Sequence, residues 1–147
     1  MKIGEFLRQS HQRLITCIPD HALNDAAKLM YTHGIGAMPV CELNNHMVGI
    51  LSERDLVRAF ARRDINELQY LRARDLMTTR VVVCSPDDTM QHAQEVMRTN
   101  QFRHLPVVQD GHVQGILSLR ETRVTRLAET EEEKKVLRYV VLAARGR

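Results

Sequence analysis

Tryptophan is absent from this 147-residue chain, and it has only three Tyr and three Phe. Proteins that hold single-stranded nucleic acid stack bases on aromatic side chains along a basic groove. No basic stripe interleaved with aromatics occurs here, so nucleic acid is not an expected partner. The three cysteines, Cys17, Cys41 and Cys84, are odd in number and include no CxxC pair, which speaks against a disulfide framework and a zinc knuckle. A reducing compartment suits them. No apolar run approaches the roughly 18 residues of a membrane span, and the opening MKIGEFLRQSHQRL lacks the apolar core of a signal peptide. The expectation is a cytoplasmic protein with no membrane partner. P-loop, activated-nucleophile and zinc signatures are all missing, and His21, His33, His46 and His92 have no spacing that would build a metal site. Neither catalysis nor a metal is expected. Charge of one sign is lacking too: 21 Lys and Arg stand against 18 Asp and Glu, a net +3, mixed along the chain. That favours phosphate-bearing ligands only slightly.

What the chain does contain is a repeat. GILSERD, at 49–55, returns as GILSLRE at 115–121. Laying the halves over each other pairs Cys17 with Cys84, Pro19 with Pro86, Asp20 with Asp87, Ala26 with Ala93, Met30 with Met97, Thr32 with Thr99, Pro39 with Pro106 and Val40 with Val107. All these pairs share one offset, which shortens by one residue where the turn ELNNHM faces QDGH. Two copies of one supersecondary unit follow. A single copy is too small to fold alone, whereas the whole chain has enough apolar surface for a shared core.

Hydrophobic periodicity orders each copy. In the first, RLITCI reads as a strand, and a helix follows with Leu23, Ala26, Ala27 and Met30 on one face. AMPVCE and HMVGILS then read as two strands, and ERDLVRAFARR as a helix with Leu56, Val57, Phe60 and Ala61 inward. The second copy repeats this with RVVVCS, a helix that Thr89 caps, HLPVVQ, HVQGILS and a helix from Arg120. The expected division is 2–64 for the first repeat with an N-terminal helix on which Ile3, Phe6 and Leu7 share a face, 65–79 for a linker, 80–127 for the second repeat and 128–147 for a C-terminal helix. That last helix carries an apolar stripe of Leu137, Val140, Val141 and Ala144, which needs a cover from this chain or a neighbouring subunit.

In GILSERD a strand delivers Ser52 to a helix start, where free backbone N–H groups and the helix dipole favour an anion. Asp55, one turn on, has the oxygens to accept two hydrogen bonds from ribose hydroxyls. The plainer alternative is that Ser52 is an N-cap and Asp55 an acid in the first turn, with no ligand involved.

GIGAMPV and FRHLPVV before the second strand of each copy, GILSERD and GILSLRE at the second helix, and DLMTTRVVVCSPDDT at the junction together resemble the cystathionine β-synthase (CBS) domain pair, or Bateman module. The match runs over roughly residues 2–127, and the chain is most similar to small stand-alone bacterial CBS pairs. The resemblance implies an α/β (α+β) fold of two pseudo-twofold related β-α-β-β-α units packed through their sheets, with two clefts between them. It also implies a homodimer. The ligands it implies are adenosine-containing: AMP, ADP, ATP or NAD(H) as a regulatory ligand, with S-adenosylmethionine disfavoured because Arg54 and Arg103 suit phosphate better than a sulfonium. Carried onto this chain, Asp55 becomes the ribose ligand, with Ser52 and Arg54 near ribose or phosphate. The backbone of Val83, Cys84 and Ser85 and of Phe102, Arg103, His104 and Leu105 would read adenine, and Arg103 and His104 would meet phosphates. The second cleft would combine Ser118, Arg120 and Glu121 with Thr16, Cys17, Ile18, Gly36, Ala37 and Met38. There Glu121 stands where the family has aspartate and Arg120 where it often has a small residue, so that cleft is expected to be weaker, different in ligand, or empty. The competing expectations are a ligand-free interaction dimer, and a redox sensor that separates NADH from NAD. An unidentified effector protein is a further possible partner.

Overall fold

The computed structural model of the chain describes the backbone of residues 1–145 and the side chains of residues 1–135. Helix α1, Ile3–Ser10, is followed by α2, Leu23–His33, and then by β1, Ala37–Cys41, and β2, Met47–Ser52, joined by a 3-10 turn at Leu43–Asn45. Helix α3, Glu53–Arg62, closes the first repeat. Two single-turn helices, α4 (Ile65–Leu68) and α5 (Ala73–Leu76), span the linker. The second repeat is α6 (Met90–Asn100), β3 (His104–Gln109), β4 (His112–Ser118) and the long α7 (Leu119–Arg145). The stripe at Leu137, Val140, Val141 and Ala144 lies outside the residues whose side chains are described.

Both hairpins are antiparallel, and they match in detail. Val40 faces Gly49 and Val107 faces Gly115, and in each copy the register slips at the next residue. The leading strand of each copy is much shorter than the sequence pattern implies. RLITCI contributes one parallel bridge, Cys17 to Val40, and RVVVCS another, Cys84 to Val107. Cys17 N–H donates to Pro39 O at 3.0 Å and Cys84 N–H to Pro106 O at 3.0 Å. Two residues further on stand Pro19 and Pro86, which have no N–H with which to extend the ladder.

Each repeat has its own core, and the chain exchanges helices between them. Ile3 of α1 is fully buried with Cys84, Met90, Met97, Leu105 and Leu117 of the second repeat, and its N–H donates to Asp88 O at 2.9 Å. Ala73 of α5 is buried with Cys17, Met30, Met38 and Leu51 of the first, and its N–H donates to His21 O at 2.9 Å. Burying a side chain the size of Ile3 is worth about 1.5–3 kcal/mol, so the segment before each repeat is anchored on the other. The exchange explains the repeated glycines. A Cβ on Gly49 would lie 2.8 Å from Met77 Sδ and 2.9 Å from Thr78 O, and one on Gly115 would lie 2.8 Å from Leu7 Cδ2.

Helix α3 does not turn inward the face expected of it. Asp55 and Ala59 are buried and Leu56 is half-buried, while Val57 and Phe60 are 66% and 64% exposed and Ala61 is exposed. The helix has two apolar faces, and its capped start fixes which of them meets the core. On α7, Val124 and Leu127, which align with Arg58 and Ala61 of α3, are 59% and 67% exposed.

Candidate functional site

The turn from β2 into α3 is built by a capping box. Asp55 Oδ2 accepts from Ser52 N–H at 2.8 Å and from Ser52 Oγ at 2.9 Å, while Asp55 N–H donates to Ser52 Oγ at 3.3 Å. Such a box satisfies helix N–H groups that otherwise lack partners. The second copy repeats it: Ser118 N–H donates to Glu121 Oε1 at 2.8 Å and Glu121 N–H to Ser118 Oγ at 3.1 Å. The recurrent serine and acid therefore have a structural role in both halves. Asp55 keeps a further capacity, because its Oδ1 meets only Arg58 at 3.4 Å, a long contact. That oxygen is the one available to a hydroxyl.

Beside it lies a cavity of about 290 Å³, at the small end for ligand pockets. Ile50, Ser52, Glu53, Arg54 and Asp55 form one side, Gly36 and Ala37 a second, Thr78, Arg80, Val81 and Val82 a third, and Gln101, Phe102, Arg103, His104 and Pro106 the fourth. Of the residues assigned to the main cleft by sequence, Ser52, Arg54, Asp55, Phe102, Arg103 and His104 meet here. Gly36 and Ala37, assigned to the second cleft, line this cavity as well. Thr16, Cys17, Ile18, Met38, Ser118, Arg120 and Glu121 do not.

Four further assignments stand apart from the cavity for identifiable reasons. Leu105 is fully buried in the second core. Cys84 is in that core too, its N–H given to Pro106 O and its carbonyl accepting from Val108 N–H at 2.8 Å, so both of its backbone groups are engaged within the repeat. Ser85 N–H donates to Asp88 Oδ2 at 2.8 Å. Val83 is exposed beside the cavity without lining it. In the second-cleft set, Cys17 and Met38 are core residues. The backbone of Val81–Val83, by contrast, makes no hydrogen bond among the described residues, leaving donors and acceptors for a planar ring edge.

Sequence reasoning passed over Thr78, Arg80, Val81 and Val82. Two backbone hydrogen bonds pin Thr78 to Ile50: Ile50 N–H donates to Thr78 O at 3.0 Å and Thr78 N–H to Ile50 O at 2.9 Å. The linker thereby becomes a wall. One signal was available, since the repeat offset places Arg80 opposite Arg13 and so marks it as part of the repeated unit.

His104 occupies the place that Ala37 takes in the other copy and breaks the pseudo-symmetry. Its ring packs on Gly36, where a Cβ would lie 3.2 Å from Cε1, 3.4 Å from Nε2 and 3.6 Å from Glu53 Cδ. Burial lowers its pKa below the usual value; Glu53 and Glu121 oppose that shift, and Arg103 adds to it. The cysteines are chemically quiet: burial pushes Cys17 and Cys41 up to about 11 and Cys84 to about 12. Among the described residues no His, Cys, Asp and Glu cluster suits a metal, and no helix is long and apolar enough to cross a membrane.

Comparison with known proteins agrees with this architecture. The family model for the CBS domain matches residues 3–62 and 73–123. A CBS-domain containing protein from Agrobacterium tumefaciens superposes with a TM-score of 0.77 at 32% identity, over 86% of this chain and 99% of that one. CBSX2 of Arabidopsis thaliana, in a crystal structure with AMP, superposes with a TM-score of 0.73 at 29% identity, over 88% and 98%. In sequence, 104 residues are 36% identical to a 17.7 kDa protein of Acidianus ambivalens, covering 70% of this chain and 61% of that protein. A further 32% identity over 134 residues links it to inosine-5'-monophosphate dehydrogenase of Methanocaldococcus jannaschii, of which it spans 26%. The chain thus spans less than two thirds of either relative.

Proposed function

The chain belongs to the CBS domain family, a family of non-catalytic regulatory modules, and from that premise we propose that it senses an adenosine-containing ligand in the cavity beside Asp55. The observation that carries this reading is the composition of that cavity. Asp55 Oδ1, met only by Arg58 at 3.4 Å, can receive a ribose hydroxyl, Val81 and Val82 line the cavity with backbone groups that make no hydrogen bond among the described residues, and three arginines stand nearby. The complex of CBSX2 with AMP supports it by likeness. AMP, ADP, ATP and NAD(H) are the candidates. The cavity is built from both repeats, so a ligand there can bias their arrangement to the extent that it prefers one arrangement over another. Val57 and Phe60 on α3 and Val124 and Leu127 on α7, all exposed, supply apolar surface for a second copy of the chain. A homodimer that passes the ligand signal to an effector protein is the complete reading.

A thermal-shift panel of AMP, ADP, ATP, NAD, NADH and S-adenosylmethionine tests it, on nucleotide-free wild type and on Asp55→Asn. The amide can still accept from Ser52 N–H, so the helix start is largely kept while the carboxylate is lost. At 100 times its Kd a ligand adds about 2.7 kcal/mol, a rise of roughly 5–10 °C for a chain of this size. That rise with an adenine nucleotide, much reduced in Asp55→Asn, is the expected result. No rise with any compound would leave the exposed apolar face as the only functional surface and the protein as an interaction dimer.

A further inference from the structure

Ala37, Ser52 and His104, which line the cavity, stand at the open ends of the two hairpins, and the β1–β2 and β3–β4 turns stand at the other ends. There His46 pairs with His112 in an antiparallel bridge between the two sheets. The two histidines share the offset of Gly49 and Gly115, so each is the other's counterpart in the repeat. Their rings lie edge to face, with centroids 5.9 Å apart and planes at 70°. Met47 N–H donates to Gly111 O at 3.1 Å, and His112 Nδ1 stands 2.8 Å from Asn44 O. A carbonyl only accepts, so that nitrogen carries the proton and donates it. Ring and backbone together tie one turn to the other.

The turns are shaped for this contact. Asn44, Asn45, Asp110 and Gly111 all have positive φ, at 59°, 60°, 53° and 81°. A Cβ on Gly111 would lie 3.0 Å from His46 Nδ1 and 3.1 Å from its Cε1, so the glycine gives the His46 ring its place. Imidazole is the side chain whose charge ordinarily changes between pH 5 and 8. One proton added to the pair meets no like charge and breaks no bond, because His112 Nδ1 donates in either state. A second proton sets two cations against each other. The acids of the two turns, Glu42 and Asp110, are exposed and make no ion pair with either ring among the described residues, and neither turn contains Lys or Arg. At 5.9 Å two unit charges weaken the contact about threefold in a medium as polar as water, and more where the half-buried His112 excludes it.

We propose that His46 and His112 form a two-proton latch between the repeats, holding the hairpin turns together while at most one of them is charged and pushing the turns apart when both are. The joined arrangement takes up the second proton less readily than the separated one, so acidification favours separation. Both histidines must be charged, so removing either imidazole removes the effect. The latch lies outside the cavity and does not depend on what binds there.

Hydrogen exchange followed by NMR tests it, through the protection factor of Met47 N–H at pH 8 and pH 5.5. Ile50 N–H, bonded to Thr78 O, is the reference within the same protein. In the wild type at low salt, protection of Met47 is expected to fall about threefold or more relative to Ile50 on acidification. In 1 M NaCl, where the screening length is about 3 Å, the fall should shrink. In His46→Gln and in His112→Gln it should vanish; the amide at 112 can still donate to Asn44 O. No fall in the wild type, a fall that salt leaves whole, or the same fall in both variants would overturn the latch. The salt comparison needs the wild type alone, so the outcome is decided even where a substitution disturbs the turn.

Discussion

Replacing Gly49 with alanine places a methyl group 2.9 Å from Thr78 O and 2.8 Å from Met77 Sδ. The thioether can swing away, but the carbonyl cannot. Thr78 O already accepts from Ile50 N–H at 3.0 Å, and Thr78 N–H donates back to Ile50 at 2.9 Å, so moving the strand end strains two bonds in a closed ring. Overpacking of this kind costs about 1–3 kcal/mol, and a weakened backbone hydrogen bond adds about 0.5–1.5 kcal/mol. Loss of glycine's freedom in the unfolded chain returns about 0.4–1 kcal/mol. The net expectation is a loss of roughly 2 kcal/mol, or a fall of about 4–8 °C in Tm. Gly115→Ala is the internal control, because the atom in its way is Leu7 Cδ2, the end of a flexible side chain on α1; its cost should stay within about 1 kcal/mol. Urea unfolding of both variants gives the comparison. Ile50 and Thr78 also line the cavity, so Gly49→Ala should weaken ligand binding at temperatures where the protein is fully folded, and Gly115→Ala should not. If Gly115→Ala proves equally or more destabilising, the linker does not form a rigid wall and the explanation of the repeated glycine fails.

Other expectations concern protons, thiols and assembly. The folded pKa of His104 lies below its unfolded value of about 6.5, so the unfolded chain takes up the proton first as pH falls. Its contribution to stability is present above about pH 6.5 and is lost as pH drops towards the folded pKa. His104→Gln should flatten the acid limb of urea-unfolding free energy against pH, and an unaltered slope would contradict the assigned burial. With thiol pKa values of about 11 for Cys17 and Cys41 and about 12 for Cys84, Ellman's reagent at pH 8 should label none in the native protein and all three after denaturation; rapid native labelling would refute this. Phe60→Glu and Leu127→Glu, at sites 64% and 67% exposed, should shift sedimentation from dimer to monomer while leaving the Tm of the monomer fold within about 2–4 °C. Sedimentation unchanged by either variant would remove that face from the dimer.

The repeat, the proline positions and the hydrophobic spacing made most of the fold legible. Leu23, Ala26 and Met30 on α2 are buried as their spacing implied, and the N-cap read at Thr89 accepts from His92 N–H at 3.0 Å. Spacing failed where two answers satisfied it equally. On α3 the expected stripe of Leu56, Val57, Phe60 and Ala61 and the observed face of Asp55, Leu56 and Ala59 share only Leu56, and only the partner across the helix selects between them. The strand pattern of RLITCI likewise says nothing of how many of its residues find a neighbour to bond.

The candidate site divides in the same way. Ser52 and Asp55 could be singled out because their signals are local, a cap and an acid one turn later, whereas Arg103 entered only through the family resemblance. Arg80 and Thr78 could not, because they enter the cavity through a pair of hydrogen bonds to Ile50 across twenty-eight positions of chain. By itself, the sequence determined the two-copy architecture, the element types and the chemistry of the helix starts, all set by interactions between residues a few positions apart. Only the tertiary structure decided that each flanking segment anchors on the opposite repeat, that the linker closes the cavity, and that three arginines from separate segments share one mouth. Those outcomes depend on contacts between distant segments, whose free energy is gained only when the two cores form together.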